Sequence, residues 1–424
     1  MRVAFVAARP PYPPDSGGRI RTFHLLRSVS RVHNVTLITA TEGEQDRAAL
    51  TALGEAIGNI TIRAVTVSQR GAPRRKLTRG MQALWAPLPY TWAAYCDPRF
   101  ASHIKRTLWE RPYDLVHCDH VHVAKLVAGL DTPPRLLNAH NIESVIIRRR
   151  GAHEASSWKR PLIAWQALKT MRAEAEAHRC FDRSVVVSDV DRLELERISP
   201  GRTVSVVPNG VDLEWFEPVG AVDFAPTMVF VGAMDWVPNI DGVGFFVREV
   251  LPRIRQRIPN AALWVVGRAP PAGLVKSWTA AGVRVTGTIP DVRPFVARAR
   301  LVVVPLRIGG GTRLKILEAW AMEKAVLSSV VGAEGLPVVD GENIALADAP
   351  EAMAARAVSL LRNPDQAARL GAAGRRVAEE QFAWPRVAQL LLQAYEETVA
   401  CGRRVVSRAE PRPVVREETS VGVL

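Results

Sequence analysis

Short apolar runs alternate with amphipathic stretches along the whole chain. In the first half, VAFVAA (3–8), NVTLIT (34–39), DLVHCD (114–119), RLLNAH (135–140) and SVVVSD (184–189) each read as a buried strand, most of them ending in polar residues. Between the first two lies GGRIRTFHLLRSVSR (17–31), a glycine turn followed by an apolar face at helical spacing. The second half repeats the plan with TMVFVGAM, AALWVVG, VRVTGTI, LVVVPL, AVLSSV and NIALA as strands, and with helical stretches such as VGFFVREVLPRIRQR and VRPFVARA between them. Runs apolar on both faces, alternating with helices, predict parallel sheets covered on two sides. The predicted fold class is therefore α/β, with two doubly wound domains facing each other across a cleft.

The segment 205–227 carries the turn Asn209-Gly210 and loses all periodicity, so a boundary is placed there. The expected parts are 1–205, 206–385, a helix over 386–400 returning to the first domain, and a disordered tail from 401 to 424. A chain of 424 residues suits two domains, and 48% apolar residues suffice for two cores. The four scattered cysteines fit a reducing compartment, and no segment approaches the length of a membrane helix, so a cytoplasmic protein is expected. A formal charge of +14 is compatible with nucleic acid, anionic lipid or anionic small ligands. No zinc-finger spacing or RNA-binding aromatic signature is present, so nucleic acid is not expected.

Candidate chemistry concentrates at predicted strand ends. RIGGGTRLKILEAWAM (307–322) runs three glycines into a helix with Arg313 and Lys315 at its start and Glu318 a turn later. PPDSGGRIR places Gly17 and Gly18 in the same relation to the first helix. A glycine turn that opens a helix turns backbone amides towards negative charge, so two such turns suggest an anionic ligand held between the halves. All nine histidines precede residue 179. His117, His120 and His122 cluster after one strand and His140 follows the next. They read either as local packing or as functional groups, and a zinc site is a weak reading without a fourth ligand. Asp189-Val190-Asp191 matches a metal-holding pattern formally, but Ser188 before it makes a helix cap the better reading. A standard phosphate loop and a nicotinamide fingerprint are both absent.

The blocks VSVVPNGVDLEWFEP, VFVGAMDWVPNIDG, LWVVGRAP, VRVTGTIPDVRPFVARA and GGGTRLKILEAWAMEKAVLSS, in this order and spacing, resemble the family 4 glycosyltransferases of GT-B architecture. Within that family the chain is most similar to sugar transferases of exopolysaccharide and PEP-CTERM export systems. The resemblance implies a retaining transfer from a nucleotide diphosphate sugar to a glycan or lipid-linked acceptor, with no metal and no other cofactor. It implies donor binding by Gly17, Gly18, Gly232, Gly310, Gly311, Thr312, Arg313, Lys315 and Glu318, with Glu318 on the ribose. It places His120 or His117 beside the transferred sugar, and His140, Asn141 and Glu143 are assigned to the acceptor. The family's E-x7-E pair is incomplete, because its first acid falls on Gly310, and Ala233 stands where the family has Arg. Arg313 and Lys315 are expected to neutralise the diphosphate instead. Two other readings stay open: a GT-B sugar-nucleotide epimerase and a catalytically idle binding protein. The stretch 70–92 carries Arg74, Arg75 and Lys76 ahead of Trp and Tyr; it reads either as an anionic-membrane contact, making the protein peripheral, or as a loop folded on the first domain.

Overall fold

The computed structural model describes residues 1–67, 89–130, 133–218 and 225–408. Seven parallel strands form the first sheet: β1 (Arg2–Ala7), β2 (Asn34–Thr41), β3 (Thr61–Thr66), β4 (Leu115–Asp119), β5 (Arg135–Asn138), β6 (Arg183–Val186) and β7 (Val204–Val206), in the order 3-2-1-4-5-6-7. Six parallel strands form the second: β8 (Thr227–Val231), β9 (Ala262–Val266), β10 (Arg284–Val285), β11 (Leu301–Val304), β12 (Ala325–Ser328) and β13 (Ala345–Leu346), in the order 10-9-8-11-12-13. This is the α/β GT-B arrangement of two Rossmann-like sheets.

In each sheet the chain winds outward one way from its first strand, then returns to build the other side. The direction reverses between β1 and β4, and again between β8 and β11. Ligands of doubly wound sheets sit in the crevice at the carboxyl ends of such strand pairs. The first crevice is therefore flanked by the Gly17-Gly18 turn and by His120, and the second by Gly232 and the 309–312 turn.

The central strands are buried on both faces, as their apolar sequences require; Val3 to Val6 in β1 and Leu301 to Val304 in β11 are almost wholly inaccessible. Each such aliphatic side chain contributes about 1.5–3 kcal/mol of burial. The C-terminal helix Trp384–Arg408 packs on the first sheet: Trp384, Val387, Leu391 and Tyr395 share one core with Val3, Phe5 and Leu115. Its passage is fixed at Gly210, where a Cβ would come within 2.5 Å of the Trp384 ring. The helix continues to Arg408, past residue 401, where the sequence predicts disorder; residues 409–424 lie outside the described ones.

Two strands escape the sequence pattern, β3 and β7. Both are edge strands with half-exposed faces, so neither carries a continuous apolar run. Of the 70–92 stretch, residues 70–88 lie outside the described residues, and Trp92 is buried in the first-sheet core rather than offered to a membrane.

Candidate functional site

Strand register sets the first crevice. Ala7, Asp119 and Asn138 are paired neighbours at the ends of β1, β4 and β5. Asp119 is buried and accepts hydrogen bonds from Thr22 Oγ1 (2.6 Å), Asn138 Nδ2 (2.7 Å) and His140 Nε2 (2.9 Å). Burial pushes this carboxyl up, but the adjacent His140 and His117 rings together more than offset it and hold Asp119 well below the usual carboxylate range. Arg21, on the buried face of the first helix, Gly17–Ser30, donates to Asn138 Oδ1 (2.9 Å), to the Pro208 carbonyl (2.8 Å) and to Asn209 Oδ1 (3.3 Å). Asn209 in turn donates to Thr312 Oγ1 (2.9 Å). A polar relay thus runs from the floor of the first crevice, through the turn that joins the halves, to the glycine turn of the second.

Beyond Asp119 the chain turns sharply. His120 has φ 85°, a region that favours glycine, and its amide is held by the Asn138 carbonyl at 3.0 Å. Its Nδ1 lies 2.6 Å from Nδ1 of His122, and its ring packs 4.6 Å from that of His140. Burial holds His120 and His122 well below their ordinary values, His122 at about 4, so both rings are neutral at pH 7. Glu143, at the start of the helix Glu143–Ala152, is raised by burial to about 7. Ligand atoms of His120, His122 and Glu143 all lie within 4.8 Å of one another, a set able to hold a metal ion.

The second crevice is built around a lysine and a glutamate. The helix Leu314–Ala321 carries Lys315 and Glu318, one turn apart and both half-buried. Lys315 Nζ donates to Asn239 Oδ1 (2.9 Å) and stands 4.0 Å over the Phe230 ring. It crosses the end of β8, where a Cβ on Gly232 would come within 2.7 Å of Nζ and force the lysine to shift. Burial, with Arg313 nearby, lowers Lys315 to about 7; burial raises Glu318 to about 7 against the pull of Lys315. Gly311 has φ 67°, and a Cβ there would lie 2.5 Å from Asn141 Oδ1. The two helix starts face each other, since a Cβ on Gly17 would meet Leu314 at 3.5 Å; within the first half, one on Gly18 would meet His140 Nδ1 at 3.6 Å.

Ion pairs close the two halves together. Arg149 grips Glu334 with two hydrogen bonds of 2.6 Å and also donates to the Gly309 carbonyl at 2.6 Å. Arg268, after β9, pairs with Asp15, before the first helix, at 3.3 Å.

Against known families, residues 15–215 match Glycosyltransferase Family 4 and residues 225–363 match Glycosyl transferases group 1. The chain belongs to the family 4 glycosyltransferases. Among its relatives, an uncharacterized 44.6 kDa protein in the cps region of Klebsiella pneumoniae is 22% identical over 359 residues, 82% of this chain and 87% of that one. A GDP-mannose-dependent alpha-(1-6)-phosphatidylinositol monomannoside mannosyltransferase of Mycolicibacterium smegmatis is 27% identical, over 61% of this chain and 78% of that one. The structure of Anabaena HepE in complex with UDP-glucose superposes with a TM-score of 0.67 at 15% identity, covering 94% of this chain and all of that one.

In this glycosyltransferase the predicted residues separate into distinct environments. His117 is fully buried beneath the crevice, its Nε2 3.6 Å from Asp119 Oδ1. The alternation of β4 turns it to the face covered by the C-terminal helix, where it stacks on Phe5 and its Nδ1 meets Tyr395 Oη at 2.8 Å. Arg313 is also turned away from a ligand: it is buried and folds back onto the carbonyls of Gly310 and Gly311, bracing the turn. Thr312 is engaged by Asn209. Gly310 lies under the other half, where a Cβ would come within 2.9 Å of Ile146. Asn141 lies against the same turn, so it and Gly311 form part of the contact between halves. Ser188 caps the helix Asp189–Ile198 by accepting from the Asp191 amide, and its hydroxyl donates to Asp191 Oδ2 at 2.5 Å, which engages the acid of the formal metal pattern.

Sequence reasoning passed over Asp119, Arg21, Asn209, Arg149 and Glu334. Arg21 left a legible sign: it occupies the same helix stripe as Leu25 and Val29, where a charge demands partners. Arg149 and Glu334 left none, since their pairing depends on how the halves meet. Among the described residues no helix is long and apolar enough to cross a membrane.

Proposed function

We propose that the protein is a retaining glycosyltransferase that moves a sugar from a nucleoside diphosphate sugar to a glycan or lipid-linked acceptor. The observation that carries this reading is the meeting of two glycine turns and helix starts, one from each half, with Lys315 and Glu318 on one side and His120 on the other. The helix amides and Lys315 suit a diphosphate, whose charge grows as the glycosidic bond breaks. Glu318 suits the two ribose hydroxyls. His120, neutral and held in a strained turn, is placed to hydrogen-bond the transferred sugar, and the halves supply position. Asp119 is committed to three donors and is not free to attack the sugar. On this reading the departing diphosphate takes the proton of the incoming hydroxyl on the same face, which retains configuration. HepE was solved with UDP-glucose, and the similarity to it supports the donor class. The similarity to a protein in a cps region supports a place in exopolysaccharide or glycolipid synthesis. A cytoplasmic location accords with a soluble donor.

The test is a panel of nucleoside diphosphate sugars, followed for slow donor hydrolysis and for the anomeric configuration of any transferred sugar by NMR. One donor should be turned over with retention. Inversion would remove the same-face mechanism, and silence with every donor would favour the idle reading. His120→Ala should lower turnover by about 10²-fold while leaving nucleoside diphosphate affinity within about twofold, because the ring lies in the half opposite the nucleotide. His117→Ala should instead lower the unfolding midpoint, with nucleotide affinity intact. Because the reading uses no metal, overnight chelation should leave turnover unchanged; a loss restored by one divalent ion would reassign His120, His122 and Glu143.

A further inference from the structure

The helices Glu143–Ala152 and Lys159–Arg179 pack as a hairpin, and its outer side is unlike the rest of the surface. Trp158 is 73% exposed, Trp165 45% and Leu162 41%. Their spacing, four and three residues, sets all three on one face. Between the helices, on the side away from that stripe, lies a cavity of about 410 Å³ lined by Ile163, Ala167, Leu168 and Met171, with Arg160 and the Arg148–Glu194 ion pair (3.7 Å) also in its lining. The hairpin exposes the basic residues Arg150, Lys159, Arg160, Arg172 and Arg179 and the acid Glu176, while Arg148 pairs with Glu194, Arg149 with Glu334, and Lys169 is buried. Lys159 lies 5.3 Å over the Trp158 ring, so charge and aromatic surface are interleaved.

We propose that this hairpin face docks on an anionic phospholipid bilayer. Charge chooses the occupant. Exposed Trp and Leu ringed by cations fit the headgroup boundary, where indole rings sit at the interface and basic side chains meet anionic headgroups. The site differs from the 70–92 stretch and uses none of it. The same hairpin begins at Glu143 in the first crevice, and its Ile146 faces Gly310. Docking would therefore bring the acceptor side of the cleft to the lipid surface. This placement rests on the lipid-linked acceptor reading and selects it over a soluble glycan.

The full-length protein would be sedimented with vesicles of phosphatidylcholine alone and with 30% phosphatidylglycerol, at low and high salt. Binding to the anionic vesicles, at least tenfold tighter than to neutral ones and weakened by salt, is expected. The variant Trp158→Ser/Trp165→Ser and the variant Lys159→Gln/Arg160→Gln should each lose about tenfold, with donor hydrolysis and the unfolding midpoint unchanged. Spin-labelled acyl chains should quench wild-type tryptophan fluorescence and lose that part of the effect in the double Trp variant. Undiminished vesicle binding by both variants would overturn the proposal, as would wild type that ignores anionic vesicles. A concentration-dependent dimer abolished by the Trp pair would assign the face to a second copy instead. Donor hydrolysis in vesicle-free buffer reports on the transferase reading separately, so failure of either idea is visible alone.

Discussion

Glu318→Gln should weaken nucleoside diphosphate binding by roughly ten- to hundredfold, the value of about 1.5–3 kcal/mol for hydrogen bonds to a charged acceptor. On the proposed assignment of Glu318 to the ribose, bare nucleoside diphosphate and its sugar conjugate should lose equally. The acid carries a pH signature shared with Lys315. Burial raises Glu318 to about 7, so it is increasingly protonated, and poorer as a double acceptor, as pH falls below 7. Burial lowers Lys315 to about 7, so it loses the charge that a diphosphate needs as pH rises above 7. Affinity in the wild type should therefore peak near pH 7 and fall on both sides, by at most tenfold per pH unit for each group. The two titrations are coupled, and the limbs report the pair. Lys315→Met should abolish the alkaline limb and Glu318→Gln the acid limb. Calorimetry between pH 5.5 and 8.5 measures this directly. A flat profile in the wild type would mean that neither group meets the nucleotide.

Arg21→Met should cost about 3–5 kcal/mol of stability, the usual penalty for removing one partner from a buried charged network. Arg21 is 1% exposed, and Asn138, Asn209 and the Pro208 carbonyl all depend on it. Burial lowers its own value to about 10, so it remains charged at every pH of interest. The loss should appear as a lower urea midpoint. Because Asn209 also holds Thr312, the second glycine turn should lose order too, seen as faster amide hydrogen exchange around 309–313. A midpoint within 1 kcal/mol of wild type would show that water replaces the guanidinium readily.

The architecture was legible because a parallel sheet writes itself as isolated apolar runs. All six strands of the second half, and five of the seven in the first, follow from those runs alone. β3 and β7 do not, because an edge strand needs only half a face buried. The site was legible where chemistry is local. A glycine turn and the helix after it are neighbours in sequence, so Gly17, Gly18, Gly311, Lys315 and Glu318 could be named from spacing. It was illegible where chemistry depends on direction. Three histidines within six residues read as one group, yet β4 turns His117 to Tyr395, while the turn after it brings His120 and His122 together. Arg313 and Lys315 read as a cationic pair, but only Lys315 points to the crevice; Arg313 serves the carbonyls behind it. Contacts between the halves, such as Gly310 beneath Ile146, lie beyond any sequence pattern.

The Arg149–Glu334 clasp bears on time rather than affinity. A donor must enter, and a spent nucleotide must leave, between surfaces latched by two ions that keep 25% and 22% of their side chains in contact with water. Water can replace the latch's hydrogen bonds one at a time, so parting is a succession of small steps rather than one large one. Because dissolved ions screen such a pair, exchange of nucleotide through the cleft is expected to quicken as ionic strength rises, measurable as a faster stopped-flow release.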